Sequence, residues 1–336
     1  MTPQELLLYP LSLLYRSATT LHRYGARSRS FQVPIISVGG ISAGGSGKTP
    51  IVRELINLLQ QNYFIIILTR GYGRLSKEEI VWTAGEPIPN ASLFGDEPML
   101  LGKSLRNGMI GVGKNRSELL ERILNERPKL QKPLVILDDG FQHYSIARDF
   151  NLILFDDFSA TERFLLPAGY LREPHSALER ADCILVTSLT AEAIARKNGR
   201  RKPDILQVQY ITDRLYNWKS GIQLTSQGPR VVLVTGIARP ERVVVALEKH
   251  SISIAKHLKY KDHHLYSRGD IRKILGDMKR YNAEIIISTE KDAVKLEQFP
   301  ELENVLYVLP LNVTFAEPYF LLNSITKRIN RKYSQE

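Results

Sequence analysis

A glycine-rich loop set between an apolar run and a helical stretch constrains this chain more than any other feature. Ile35-Ile36-Ser37-Val38 reads as a strand, Gly39 to Gly47 as a flexible turn, and Pro50 to Gln61 as a helix. Glycines in such a turn let successive backbone N–H groups point inward at an anion, and the helix N-terminus adds partial positive charge. Ser42, Ala43, Gly44, Gly45, Ser46, Gly47, Lys48 and Thr49 therefore form the expected cradle for the phosphates of ATP. In that reading Lys48 reaches the β- and γ-phosphates and the Thr49 hydroxyl ligates Mg2+. Ser42 departs from the usual pattern, which begins with glycine, and Gly44 and Gly45 would supply the missing backbone freedom. A glycine turn serving packing alone would leave Lys48 without a purpose.

From Val33 onward, apolar runs alternate with helical stretches. Strands are expected at 35–38, 64–68, 109–112, 134–137, 152–155, 184–187 and 205–209, with helices such as 50–61 and 115–126 between them. This rhythm predicts an α/β fold: a P-loop NTPase-like, mostly parallel sheet sandwiched by helices, with a second, smaller α/β domain. Polar and turn residues interrupt the rhythm at 210–229, read as a linker or a hairpin, before strands at 231–235, 252–255, 284–288 and 305–308 resume it. The expected divisions are an N-terminal amphipathic helix over 1–32, a kinase-type domain over 33–210, a linker over 211–229, a smaller domain over 230–311 and a basic helix over 312–336.

The run Leu134-Val135-Ile136-Leu137 ends in Asp138-Asp139, which delivers two carboxylates to the carboxyl edge of the sheet, where such enzymes hold their metal. Asp138 and Asp139 are thus the Mg2+ candidates. Arg70, Tyr72 and Arg74 follow a second parallel strand, which puts them on the same edge, near phosphate or sugar.

The net charge of +11 calls for a polyanionic partner: nucleic acid, an anionic membrane surface or a phosphorylated substrate. No zinc-finger spacing or aromatic-basic RNA signature supports nucleic acid. The single cysteine, Cys183, excludes an internal disulfide and fits a reducing compartment. Leu6, Leu7, Leu8, Leu11, Leu13 and Leu14, followed by Arg16, His22, Arg23, Arg27 and Arg29, form a block shorter than the ~20 apolar residues a bilayer span needs. Two readings fit it equally: a helix lying on an anionic leaflet, or an ordinary helix packed on the core.

Several motifs occur together and in order: Gly44-Gly45-Ser46-Gly47-Lys48-Thr49-Pro50, Thr69-Arg70-Gly71-Tyr72-Gly73-Arg74, Gly95-Asp96-Glu97-Pro98, Val112-Gly113-Lys114-Asn115-Arg116 and Asp138-Asp139-Gly140-Phe141-Gln142-His143. Leu166 to Pro174, Asp262-His263-His264-Leu265-Tyr266 and Thr289 to Lys295 continue the set. In this combination the chain resembles the tetraacyldisaccharide 4'-kinase family. The resemblance implies transfer of phosphate from ATP to the 4'-hydroxyl of a tetraacylated glucosamine disaccharide 1-phosphate, giving lipid IVA in lipid A biosynthesis. It also implies a peripheral or monotopic place on the cytoplasmic face of a bacterial inner membrane and favours the membrane reading of the N-terminal helix; an oligomer is not implied, and the oligomeric state stays open.

By the same resemblance, Asp96 accepts the hydroxyl proton with help from His263, Lys48 and Arg172 neutralise the γ-phosphate, and Glu173 joins Thr49, Asp138 and Asp139 around Mg2+. Each has a plainer reading: Asp96 as a helix cap, His263 as a surface histidine, Arg172 as a surface arginine before a turn proline. The segment Glu290 to Lys295 would face the loop if the cleft lies between domains. Two other functions fit a phosphate loop: an ATPase switch acting with a protein or membrane partner, and a nucleic-acid-stimulated ATPase, for which the leucine block has no use.

Overall fold

The computed structural model describes residues 3–45, 47–198, 203–225 and 228–333. Helix α1 (Pro3–Gly25) precedes β1 (Ile35–Gly40), α2 (Lys48–Leu59), β2 (Phe64–Thr69), β3 (Ile80–Thr83), α3 (Ala91–Phe94), α4 (Asp96–Gly102) and β4 (Gly108–Val112). Then come α5 (Arg116–Glu126), β5 (Pro133–Asp138), β6 (Phe150–Phe155), α6 (Asp157–Thr161), β7 (Cys183–Val186), α7 (Leu189–Asn198) and β8 (Asp204–Thr212). The remainder comprises β9 (Tyr216–Asn217), β10 (Arg230–Thr235), α8 (Glu241–Lys249), β11 (Ser253–Lys259), α9 (Arg268–Arg280), β12 (Ile285–Thr289), α10 (Glu290–Leu296), β13 (Leu306–Leu309), β14 (Leu311–Phe315) and α11 (Pro318–Tyr333).

Two sheets organise the described residues. The larger has nine strands in the order β14-β8-β7-β6-β1-β5-β2-β4-β3, antiparallel at its two edges and parallel between them. Its central strands are apolar on both faces, as a sheet covered by helices on each side requires; Ile35, Ile36 and Val38 of β1 are all buried. Helix α2 presents Ile51, Val52, Leu55, Ile56 and Leu59 as one stripe, all buried. Each such side chain contributes roughly 1.5–3 kcal/mol on leaving water. The smaller sheet runs β11-β10-β12-β13-β9, with a separate core around Val232, Val234, Ile274 and Ile286.

Each strand expected from the apolar runs is present. The segments that differ all lie where the pattern is short or polar. The stretch from Tyr210 is not a linker throughout: β8 continues to Thr212, and Tyr216 and Asn217 pair antiparallel with β13. The segment after 312 is not helical from its start. Leu311 to Phe315 form β14, which returns to the larger sheet beside β8 with Leu311 opposite Thr212. Helix α11 then packs Leu321, Ile325 and Ile329 into the larger core, and Lys332 caps the outside through the Phe31 carbonyl at 2.8 Å and Asp149 at 3.0 Å. Strand β3, only four residues long, covers the far edge.

Candidate active site

Strand β1 lies where the strand order reverses, with β5 on one side and β6 on the other, and Val38 is the register partner of Asp138. Crevices at such points, beyond the carboxyl ends of the strands, are where open α/β sheets bind ligands. The glycine loop leaves β1 there, and α2 begins at Lys48, with Thr49 second. Gly47 caps the helix at φ +87°, a conformation that favours glycine, and an added Cβ would lie 2.6 Å from the Tyr210 hydroxyl. That hydroxyl donates to the Gly47 carbonyl at 2.9 Å. Ser42, where the pattern departs from glycine, is buried, and its Oγ lies 2.8 Å from Ser159 Oγ. Ala43 donates its amide to the Tyr170 carbonyl at 2.7 Å. Ser46 lies outside the described residues.

The acid pair sits beside this loop. Asp138 accepts a hydrogen bond from Thr69 Oγ1 at 3.0 Å, and its backbone carbonyl accepts one from Arg116 at 2.8 Å. Burial first, then the Glu97 and Asp139 charges, push the Asp138 acid up to about 7. Burial acts the same way on Asp139, but Lys48 and Arg172 outweigh it and hold that carboxyl well below the usual range. Arg172 NH1 donates to Asp139 Oδ2 at 2.7 Å, and Lys48 Nζ stands 3.4 Å from Oδ1, a buried oxygen that accepts no hydrogen bond among the described residues. Glu173 is buried and engaged at both oxygens: Gln142 donates to one at 2.9 Å and Arg180 pairs with the other.

A second cluster faces the first across the loop that follows β2. Asp96 is the first residue of α4, which has Gly95 at its N-cap and no side-chain cap; its Oδ1 accepts the Glu97 amide at 2.9 Å. Its carboxylate also meets His263 Nδ1, 3.1 Å from Oδ1 and 3.0 Å from Oδ2. Burial favours the neutral acid, but the hydrogen bond from His263 and the charges of Lys291, His263 and Lys295 outweigh it and hold Asp96 below the ordinary carboxylate range. His263 is not a surface histidine: its side chain is 11% exposed, and its amide donates to the Gly236 carbonyl at 3.1 Å. Tyr72 packs its ring edge-on against His263, with centroids 5.0 Å apart. Gly73, at φ +76°, lies so close that an added Cβ would be 2.7 Å from His263 Cβ. One short segment thus touches both clusters, Asp138 through Thr69 and His263 through Tyr72. Arg70 is exposed beside it, and Arg74 is half-buried, its guanidinium pKa lowered chiefly by burial.

The smaller sheet supplies the other walls. Ala238, in the turn after β10, approaches Gly45 so that a Cβ there would lie at 3.4 Å. Arg239 and Arg242 each stand 3.4 Å from the buried Asp156, and Arg239 lies 3.8 Å over the Phe158 ring. Sequence reasoning did not assign roles to Asp156, Tyr210, Lys291 or Lys295. Tyr210 falls at the end of an alternating strand and Asp156 follows an apolar run, so neither carries a local signal. The lysines do carry one: they are four residues apart in a short helix and therefore share a face.

Helix α1 touches the rest of the chain along a narrow seam. Ser12 Oγ donates to the Leu165 carbonyl at 2.8 Å and accepts the Ala168 amide at 3.0 Å, and Tyr9 meets Phe164 edge-on at 6.0 Å. Leu6, Leu7, Leu11, Leu13, Leu14 and Leu21 remain exposed. An ordinary helix packed on the core buries its leucines, so the structure departs from that reading. No helix among the described residues is long and apolar enough to cross a membrane.

The parallel sheet with its glycine loop at the switch point defines an α/β protein of the P-loop NTPase-like class, built for phosphoryl chemistry. The comparisons narrow the class to one family. The chain belongs to the Tetraacyldisaccharide-1-P 4'-kinase family, which it matches over residues 4–330. It is 34% identical to the tetraacyldisaccharide 4'-kinase of Cytophaga hutchinsonii, over 97% of each chain. It is 35% identical to that of Polaromonas sp., over 94% of this chain and 89% of the relative. Among solved structures, LpxK from Aquifex aeolicus in complex with ATP superposes with a TM-score of 0.76 at 27% identity, covering 97% of this chain and 99% of that one.

Proposed function

We propose that this chain transfers the γ-phosphoryl group of ATP to the 4'-hydroxyl of a tetraacyldisaccharide 1-phosphate, forming lipid IVA, at the cytoplasmic face of the inner membrane. Family membership supports the kinase activity and the acceptor. The observation that carries the mechanism is the Asp96–His263 pair at 3.0 Å, on the same loop-bounded crevice as Lys48, Asp139 and Arg172.

In this mechanism the amides from Gly44 to Thr49 bind the β- and γ-phosphates. Lys48 and Arg172 exchange part of their pairing with Asp139 for the phosphate oxygens, a role suited to a guanidinium fork and an ammonium point charge. Asp96 takes the proton of the 4'-hydroxyl as that oxygen bonds to the γ-phosphorus. The bond from the γ-phosphorus to the β-bridging oxygen breaks, and ADP leaves with the electron pair. Arg70, Tyr72 and Arg74 line the approach of the sugar.

The acid pair fits a divalent cation. Asp138 is a carboxyl that burial and neighbouring anions hold near neutrality, and Asp139 Oδ1 is a buried acceptor without a hydrogen bond. Thr49, Asp138 and Asp139 would hold Mg2+, which when bound neutralises charge developing on the phosphate oxygens. Glu173 is committed to Arg180 and Gln142 and serves to fix Gln142, which also donates to the Gly40 carbonyl at 2.9 Å. The exposed leucines of α1 would lie in the acyl boundary of the leaflet that holds the substrate's chains, with the basic residues behind them at the headgroups.

The test is to incubate purified protein with ATP and tetraacyldisaccharide 1-phosphate and weigh the product. A mass gain of one phosphate, with negligible ATP consumption when acceptor is omitted, is the expected result. Acceptor-independent ATP hydrolysis answering to protein partners would instead support the ATPase switch.

A further inference from the structure

Helix α10 places two lysines, four residues apart, against the proton-accepting pair. Lys295 is buried to 1% side-chain exposure, 3.5 Å from Asp96 Oδ2 and 2.9 Å from Asp292 Oδ1. Asp292 is tied down by its other oxygen, which accepts the Gly236 amide at 2.8 Å and the Thr289 hydroxyl at 2.9 Å. Lys291 sits at the other end of the pair: its Nζ is 3.2 Å from His263 Nε2, 3.1 Å from Glu97 and 3.7 Å from Asp262.

The chemistry of these contacts is directional. An ammonium has donors only, so Lys291 donates to the Nε2 lone pair, and the ring proton must then sit on Nδ1, aimed at Asp96. Burial opposes the Lys291 charge, but Glu97, Asp96 and Asp262 outweigh it and hold the ammonium above the ordinary lysine range. An imidazole occupied this way at both nitrogens cannot accept the substrate's proton while Lys291 stays in place. It can only orient Asp96. Lys295, sealed from water and with no hydrogen-bonded acceptor among the described residues, is costly to bury unless its charge is balanced. Asp292 balances part of it, and the ionised form of Asp96 balances the rest.

We propose that Lys291 and Lys295 are positioning residues for phosphoryl transfer: Lys295 keeps Asp96 ionised as the acceptor, and Lys291 fixes His263 as the neutral Nδ1–H donor that orients it. The proposal rests on Asp96 being the base. Among the described residues, the charged and titratable groups facing the pair are Tyr72 from the loop after β2, Glu97 from α4, Lys291, Asp292 and Lys295 from α10, and Asp262 and Tyr266 from the segment after β11. Because α10 belongs to the smaller sheet and α4 to the larger, the base acquires its working state only where the two sheets meet.

The experiment measures the kinase pH profile of the full chain with Lys295→Met, Lys291→Met and Asp96→Asn, alongside 15N NMR of the His263 ring assigned by its loss in His263→Asn. Removing an opposite charge at this range shifts a carboxylate by about one pH unit or more, so the acid limb of kcat in Lys295→Met is expected to move up by that much, with KM for ATP unchanged. In Lys291→Met the ring signals are expected to change from one tautomer, Nδ1–H, to a mixture, with kcat falling about tenfold. Were Lys295→Met to fail to fold, the tautomer in Lys291→Met decides alone. An unmoved acid limb in a folded Lys295→Met, or an unchanged single tautomer in Lys291→Met, overturns the proposal. Asp96→Asn retaining full activity would instead refute the base assignment, a separate result.

Discussion

Asp138 is the side chain at which this site trades stability for chemistry most plainly, and Asp138→Asn measures the exchange. In the folded chain burial and the nearby Glu97 and Asp139 charges hold its acid up at about 7, against roughly 3.9 for an unfolded aspartate. A folded-state pKa above the unfolded one means that the native protein binds more protons between the two values, so stability falls as pH rises through that window. The full cost is in place above pH 7 and absent below pH 4. At about 1.36 kcal/mol for each unit, three units set a ceiling of roughly 4 kcal/mol, and structural relaxation would reduce it to about 1–3 kcal/mol. Asparagine matches the shape and can still accept from Thr69, so it removes the charge with little else. Urea unfolding without divalent cation is the assay. At pH 8 Asp138→Asn is expected to be the more stable protein by about 1–3 kcal/mol, the gap closing towards pH 5, while its kinase activity falls sharply. A variant equally or less stable than the parent at pH 8 would refute the reasoning, since the native state would then not be straining against this charge.

Two further outcomes follow from the geometry. Gly73→Ala places a Cβ 2.7 Å from His263 at a φ of +76° and should cut kcat about 100-fold while leaving ATP binding, read by calorimetry, unchanged; equal loss of both would count against the placement of His263. Leu7→Asp combined with Leu14→Asp removes two leucines that are 77% and 67% exposed, each worth roughly 1.5–3 kcal/mol if buried in lipid, so co-flotation with anionic vesicles should drop at least tenfold. Undiminished flotation would remove α1 as the membrane contact.

The parallel strands were legible because strands buried on both faces must be almost continuously apolar, and those from Ile35 to Val186 are, with Ser37 of β1 and Asn151 of β6 as interior polar exceptions. The glycine loop and the acid pair were legible because phosphate binding dictates local residue types. Lys291 and Lys295 were not, since their meaning comes from Asp96, which is remote in sequence, and only the packing of α10 on α4 brings them together. Strand β14 escaped for a related reason. Asn312 and Thr314 give it an ordinary polar alternation, and nothing local says that it joins a sheet whose other strands end a hundred residues earlier. The charge surplus named a polyanion without choosing among three.

The return of β14 to the side of β8 has a mechanical consequence. Everything between Thr212 and Leu311 is an excursion from the larger sheet, leaving and re-entering at two residues that face each other across one ladder. The smaller sheet and its helices therefore hang from the larger sheet by two chain segments held side by side in one ladder. Arg53 grips that line of attachment, donating to the Leu311 carbonyl at 2.6 Å and to Glu290 at 2.9 Å. It does so from the middle of α2, the helix whose first turn opens at Lys48. The phosphate loop and the line of attachment are thus tied to the first turn and the middle of one helix.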